Sequence, residues 1–238
     1  MSTEGTSTRR KFLAAAGAIG AGSITLAGPI ACSFTRHQAP PIEEEVSPIE
    51  DLMREHGLLR RIFLIYDESI ARLGGQGEPK PEVIAQAAGI VRRFVEDYHE
   101  KLLEEDQLFP RFEKAGVLAD LVKVLREQHA SGRRLTDRII ERATVEAMRD
   151  AAQRRDLAEI LRLFNRMYRP HAAREDTVLF PAVHRIVSAK EYDALGEVFE
   201  DKEHELFGEH GFEKIVGQVE EMEKAFGLYD LARFTPKV

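Results

Sequence analysis

His99-Glu100-Lys101-Leu102-Leu103-Glu104 runs on to Phe109-Pro110, and His171-Ala172-Ala173-Arg174-Glu175 runs on to Phe180-Pro181. In both stretches a histidine falls where a helix should point a leucine inward. A carboxylate follows it, and Phe-Pro closes the run. His171 continues the apolar stripe of Leu161, Phe164 and Tyr168, with Glu175 and Val178 beyond it. His99 continues the stripe of Val91 and Val95, with Leu102 beyond it. Two more helical stripes carry a histidine in the same way. One is Ile49, Met53, His56, Phe63, Tyr66, Ile70; the other is Val122, Leu125, His129, Thr136, Ile139. Apolar residues at this spacing mark the buried face of a helix.

The chain repeats itself around these positions. Glu55-His56-Gly57-Leu58-Leu59-Arg60-Arg61-Ile62 compares with Gln128-His129-Ala130-Ser131-Gly132-Arg133-Arg134-Leu135. Asp106-Gln107-Leu108-Phe109-Pro110 compares with Asp176-Thr177-Val178-Leu179-Phe180-Pro181. His56 and His129 stand 73 residues apart, and Pro110 and Pro181 stand 71 apart. The pattern predicts two copies of one helix pair. Strand signals are missing from Pro48 onward, so the fold class expected is all-α. It is an up-and-down four-helix bundle with one or two additional C-terminal helices. The expected spans are Pro48 to Leu73, Pro81 to Lys114, Ala119 to Ala152 and Asp156 to Val187. Pro170 is expected to kink or divide the fourth. Ser188 caps a fifth helix to about Phe207, and a last helix ends near Gly227.

One buried histidine is ordinarily satisfied by a backbone carbonyl. Four at matching positions in two copies point to a metal, which satisfies several buried imidazoles and carboxylates at once. Glu175 lies four residues after His171, about 40° round a helix and on the same face. Glu104 lies five after His99, about 140° round. It nevertheless precedes Pro110 by six residues, as Glu175 precedes Pro181. A one-residue slip, a π-bulge between His99 and Glu104, reconciles the two spacings. Glu100 and Glu105 are the alternatives. Imidazole and carboxylate together suit iron, manganese or zinc.

This doubled set resembles the hemerythrin-like HHE cation-binding domain over roughly Ser47 to Val187. The resemblance implies a four-helix bundle around a non-haem di-iron centre, two iron ions with an oxo or hydroxo bridge. The implied metal ligands are His56, His99, Glu104, His129, His171 and Glu175. Oxygen-carrying hemerythrins use five histidines, one Glu and one Asp. This chain offers four histidines and two Glu. It is more similar to members linked to iron-centre repair, iron sensing, and nitric oxide or peroxide chemistry. The partner expected is a small diatomic or peroxide ligand, bound or reduced. A protein that stores, senses or delivers metal without turnover is the alternative. Either reading is of a metal- or ligand-binding protein rather than a dedicated enzyme.

Residues 1–34 read as a signal peptide. Thr8-Arg9-Arg10-Lys11-Phe12-Leu13 resembles a twin-arginine export signal, followed by a short, glycine-diluted apolar run. This predicts passage through export machinery to a periplasmic or extracytoplasmic location. Cys32 stands where a lipid anchor would attach; cleavage near Thr25-Leu26-Ala27 is the other reading. Residues 35–47, with Pro40, Pro41 and three glutamates, read as a linker. Residues 48–187 are the bundle and 188–238 a helical extension. With 34 Lys and Arg against 41 Asp and Glu, the net charge of −7 speaks against nucleic-acid binding. One cysteine excludes an internal disulfide framework and a Cys-rich metal site. The pairs Arg60-Arg61 and Arg133-Arg134 read as solvated helix faces. His184 is a weak fifth-ligand candidate. His204-Glu205-Leu206-Phe207-Gly208 fails the metalloprotease spacing, because Gly208 stands at the second histidine position.

Overall fold

The computed structural model describes residues 46–237. The signal peptide, Cys32, His37 and residues 35–45 of the linker lie outside the described residues. Six helices follow in order: α1 (Pro48–Leu73), α2 (residues 81–115), α3 (Ala119–Arg142), α4 (residues 151–185), α5 (Ala189–Phe207) and α6 (Gly211–Phe226). No strand occurs among the described residues. None of the described helices is long and apolar enough to cross a membrane.

Helix ends follow from local chemistry. Ser47 accepts the Glu50 N–H at 3.2 Å and Pro48 occupies the first turn, where its missing N–H costs nothing. Gly116, at φ +65°, ends α2 in the left-handed conformation that favours glycine. Ser188 and Glu191 form a reciprocal capping box at the start of α5. The expected third helix runs too far. It ends at Arg142, and Thr144 accepts the Ala147 N–H in a short connecting turn. Asp150, in extended conformation, then accepts the N–H groups of Ala152 and Gln153. That cap starts α4 at Ala151 rather than Asp156. Pro170 does not divide α4, which stays helical through Arg174.

Two helices depart from α geometry. In α2, Val91–Leu108 is π-helical between α-helical Pro81–Ile90 and Phe109–Ala115. In α4 the π-turn is shorter, Glu175–Leu179, followed by a 3₁₀ stretch Phe180–Arg185. Both π segments end alike. The Phe109 N–H donates to the Glu104 carbonyl and the Phe180 N–H to the Glu175 carbonyl, each five residues back. The following Pro110 and Pro181 have no N–H, and their rings crowd the carbonyl four residues back. The Phe-Pro pair thus widens the helix beside each site glutamate.

The four long helices enclose the core. α1 packs on α4, α3 packs on both α2 and α4, and α5 and α6 cover the outer side of α1 and α2. Tyr66, Phe63, Phe164 and Tyr168 form an aromatic layer below the histidines. Val219, Met222 and Phe226 bury the inner face of α6, and Arg61 grips Glu223 through two hydrogen bonds of 3.0 and 2.5 Å.

Candidate metal centre

His56 comes from α1, His99 and Glu104 from α2, His129 from α3, and His171 and Glu175 from α4. All six are buried, none more than 3% exposed. The structure brings all six together. His56, His99 and Glu104 present ligand atoms within 4.8 Å of one another, and so do His129, His171 and Glu175. The carboxylates tie the two groups together. Glu104 points Oε1 at His99 Nε2, 3.6 Å away, and Oε2 at His129 Nε2, 3.4 Å away. Glu175 Oε2 stands 3.0 Å from His171 Nε2 and 3.5 Å from His56 Nε2. His129 and His171 bring their Nε2 atoms to 3.3 Å.

Glu104 arrives there because its stretch of α2 is π-helical. A π-turn holds about one residue more than an α-turn, which absorbs the five-residue spacing from His99. On α4, Ala151–Arg174 is α-helical, so the four-residue spacing already aligns His171 with Glu175.

Every imidazole is fixed from behind through Nδ1. Asp176 Oδ1 lies 2.7 Å from His56 Nδ1, and Glu55 Oε2 lies 2.6 Å from His99 Nδ1. Glu105 Oε1 is 3.0 Å from His129 Nδ1, and Gln128 Oε1 is 2.9 Å from His171 Nδ1. With these oxygens accepting, each Nδ1 carries a proton and each Nε2 is the nitrogen turned inward. That is the arrangement of metal-binding histidines. Phe180 stacks on His56 and Phe109 on His129, both at 5.4 Å between centroids, so the Phe of each Phe-Pro walls the site.

The outer residues escaped the sequence reading. Glu105 and Asp176 are the matching pair, not Asp106 and Asp176; Asp106 is exposed and pairs with Lys101. Their position directly after each site glutamate was the available signal. Arg60, exposed as expected, and half-buried Arg133 also hold Asp176 and Glu105. Of the alternative ligands, Glu105 is the support of His129. Glu100 accepts the Tyr168 hydroxyl at 2.8 Å and faces Arg133 at 3.4 Å. His184 is exposed against Tyr192, away from the site, and His204 and His210 are exposed too.

Charge and burial leave the site under-satisfied without a cation. His99 Nε2 and both oxygens of Glu104 and of Glu175 are buried without a hydrogen-bond partner. Burying such groups unpaired costs several kcal/mol, on the order of 2–7 for even a neutral polar group. Burial drives His56 and His171 down to about 4 and lowers His129 as well. Burial opposes charge on His99 too, but the Glu104 and Glu55 carboxylates beside it carry it well above the ordinary imidazole value. Burial pushes Glu175 up to about 8. Against burial, the His129 hydrogen bond and the Arg133 guanidinium hold Glu105 down to about 2. Four imidazole Nε2 atoms and two glutamate side chains converging in a buried pocket fit one or two transition-metal cations.

Comparison with known proteins agrees with this geometry. The chain is 48% identical over 197 residues to an uncharacterized protein of Mycobacterium tuberculosis and to one of Mycobacterium bovis, covering 83% of this chain and 77% of each relative. No solved structure matches it. Residues 47–183 match the hemerythrin HHE cation binding domain, a span that contains all six converging side chains. The chain belongs to the hemerythrin HHE cation-binding family.

Proposed function

We propose that this protein holds a pair of iron ions in the bundle and uses them to bind or reduce a small oxidant: oxygen, nitric oxide or peroxide. One observation carries the reading. Glu104 and Glu175 each stand between histidines of different helix pairs, their buried oxygens without hydrogen-bond partners. In this reading His56 and His99 hold one ion, His129 and His171 the other, and the two glutamates span both. When bound, the iron pair supplies open coordination positions and exchangeable electrons for a small ligand. The chain's own residues keep each ring in one tautomer and exclude water with Phe109 and Phe180. Manganese and zinc suit the same donors.

The N-terminal Arg9-Arg10-Lys11-Phe12-Leu13 supports an exported protein that folds around its metal before crossing the membrane, with Cys32 as a candidate lipid anchor. Metal analysis and an optical spectrum of protein produced in its native host test the proposal. About two irons per chain are expected. Near-ultraviolet charge-transfer bands that change on adding hydrogen peroxide or nitric oxide are expected with them. Stoichiometric iron with no response to either oxidant would instead favour storage, sensing or delivery of the metal. Zinc alone, or no stoichiometric metal, would remove the redox reading.

A further inference from the structure

The supports behind the four histidines repeat from one helix pair to the other, with one exception. His56 leans on Asp176, which Arg60 holds; His129 leans on Glu105, which Arg133 holds. These two triads match position for position, each with a carboxylate between histidine and arginine. The residue just before each of these histidines supports the other ring of its own pair. Glu55 supports His99, but Gln128 supports His171. A carboxylate in one copy is an amide in the other.

The surroundings widen this difference. The carboxylates of Asp51 and Glu203 lie within 4.8 Å of that of Glu55, all three buried, with Arg54 3.8 Å from Asp51. Glu203 comes from α5, which has no counterpart behind the second pair among the described residues. The position matching Asp51 in the second copy is Val124, which is 47% exposed. Acidic side chains therefore cluster behind His99, and no such cluster stands behind His171 among the described residues.

We infer that the two metal positions are inequivalent: the one built by His56 and His99 fills first and holds its ion more tightly than the one built by His129 and His171. The inference rests on reading the six residues as a two-metal centre. Its cause is the Glu55/Gln128 difference. A carboxylate accepting the Nδ1–H makes the imidazole a stronger donor and adds negative charge near the cation, whereas an amide oxygen adds no net charge. Glu55 is a positioning residue here, acting on the metal through His99.

Titration of the metal-free full chain with cobalt(II), followed by visible absorption and calorimetry, tests this. Changing an outer support typically shifts metal affinity by about 10- to 100-fold. The wild type should therefore bind in two events separated by about tenfold or more. His99→Ala should remove the tight event and His171→Ala the weak one. Glu55→Gln should weaken the tight event by about tenfold, so that the two merge. Gln128→Glu should strengthen the weak one, and the double variant should reverse the order of filling. A merely structural Glu55 would alter thermal stability without moving the separation. Two equal events in the wild type, or a separation unchanged by Glu55→Gln, would overturn the inference while leaving the metal centre standing. Absence of any stoichiometric cobalt would overturn the metal-centre reading itself and this inference with it.

Discussion

Glu104 reaches His99 with one carboxylate oxygen and His129 with the other, at 3.6 and 3.4 Å, and so joins the two helix pairs at the centre of the bundle. On the proposed two-metal reading, a glutamate in that position would serve both ions, whereas His171 would serve one. Glu104→Ala should leave almost no bound metal after dialysis. His171→Ala should retain about one ion of an expected pair. Metal content by mass spectrometry, with circular dichroism to confirm helicity, separates the two. Equal loss in both variants would argue against the bridging position of Glu104.

Metal uptake should release protons. Without metal, burial holds the Glu175 carboxyl up to about 8, and Glu104 and Glu55 outweigh burial to raise His99. Both must lose their protons to become ligands. At pH 7, loading is expected to release protons, that of Glu175 among them, and affinity should fall as pH drops below that value. Calorimetry in buffers of different ionisation enthalpy counts the protons. Release near zero would contradict the charge pattern of the empty pocket.

Gly132 lets Tyr168 reach Glu100. A Cβ there would lie 1.8 Å from the Tyr168 hydroxyl oxygen, so Gly132→Ala must push the ring off its partner. A loss of about 1–3 kcal/mol is expected from overpacking. Tyr168→Phe alone should lose about 1–2 kcal/mol by leaving the Glu100 carboxyl without its hydrogen bond. Because the two changes act on one contact, the double variant should lose less than the sum. Urea unfolding of the four proteins measures the coupling; strict additivity would show that Gly132 does not act through Tyr168.

Glu96 gives stability a pH dependence of the opposite sense to an exposed ion pair. Burial raises it to about 7, opposed by the Thr136 hydrogen bond and by Arg92 at 2.7 Å. Between its unfolded value, near 4.5, and 7, the folded chain holds a proton that the unfolded chain has lost. This contribution to stability therefore falls as pH rises through that window. Glu96→Gln cannot titrate, so it should gain on the wild type by about 2 kcal/mol between pH 5 and 8. Parallel unfolding curves at both pH values would refute the shift.

Helix composition, the inward histidines and the doubled spacing were legible from the chain alone, because each depends on neighbours within a few turns. Ser47, Ser188 and Gly116 marked helix ends for the same reason. Asp150 was equally local and was passed over, which displaced the start of α4. The slip that brings Glu104 inward was also readable, by comparing two spacings to a proline. The Phe-Pro pair supplies the common reference from which the two spacings are compared, since each site glutamate precedes its proline by six residues.

The supports behind the rings were decided by tertiary structure. Asp176 lies 120 residues from His56, and Glu55 lies 44 from His99. Whether a surface-facing acid on one helix meets a ring nitrogen on another depends on how the helices are rotated and spaced, and that is set by packing of the whole core. That Arg60 and Arg133 also grip Asp176 and Glu105 was hidden for the same reason, because those acids come from a facing helix. The sequence by itself determined which residues turn inward and in what order they recur. Only the assembled bundle decided that one copy backs its histidine with a carboxylate and the other with an amide, because that pairing exists only where two helices meet.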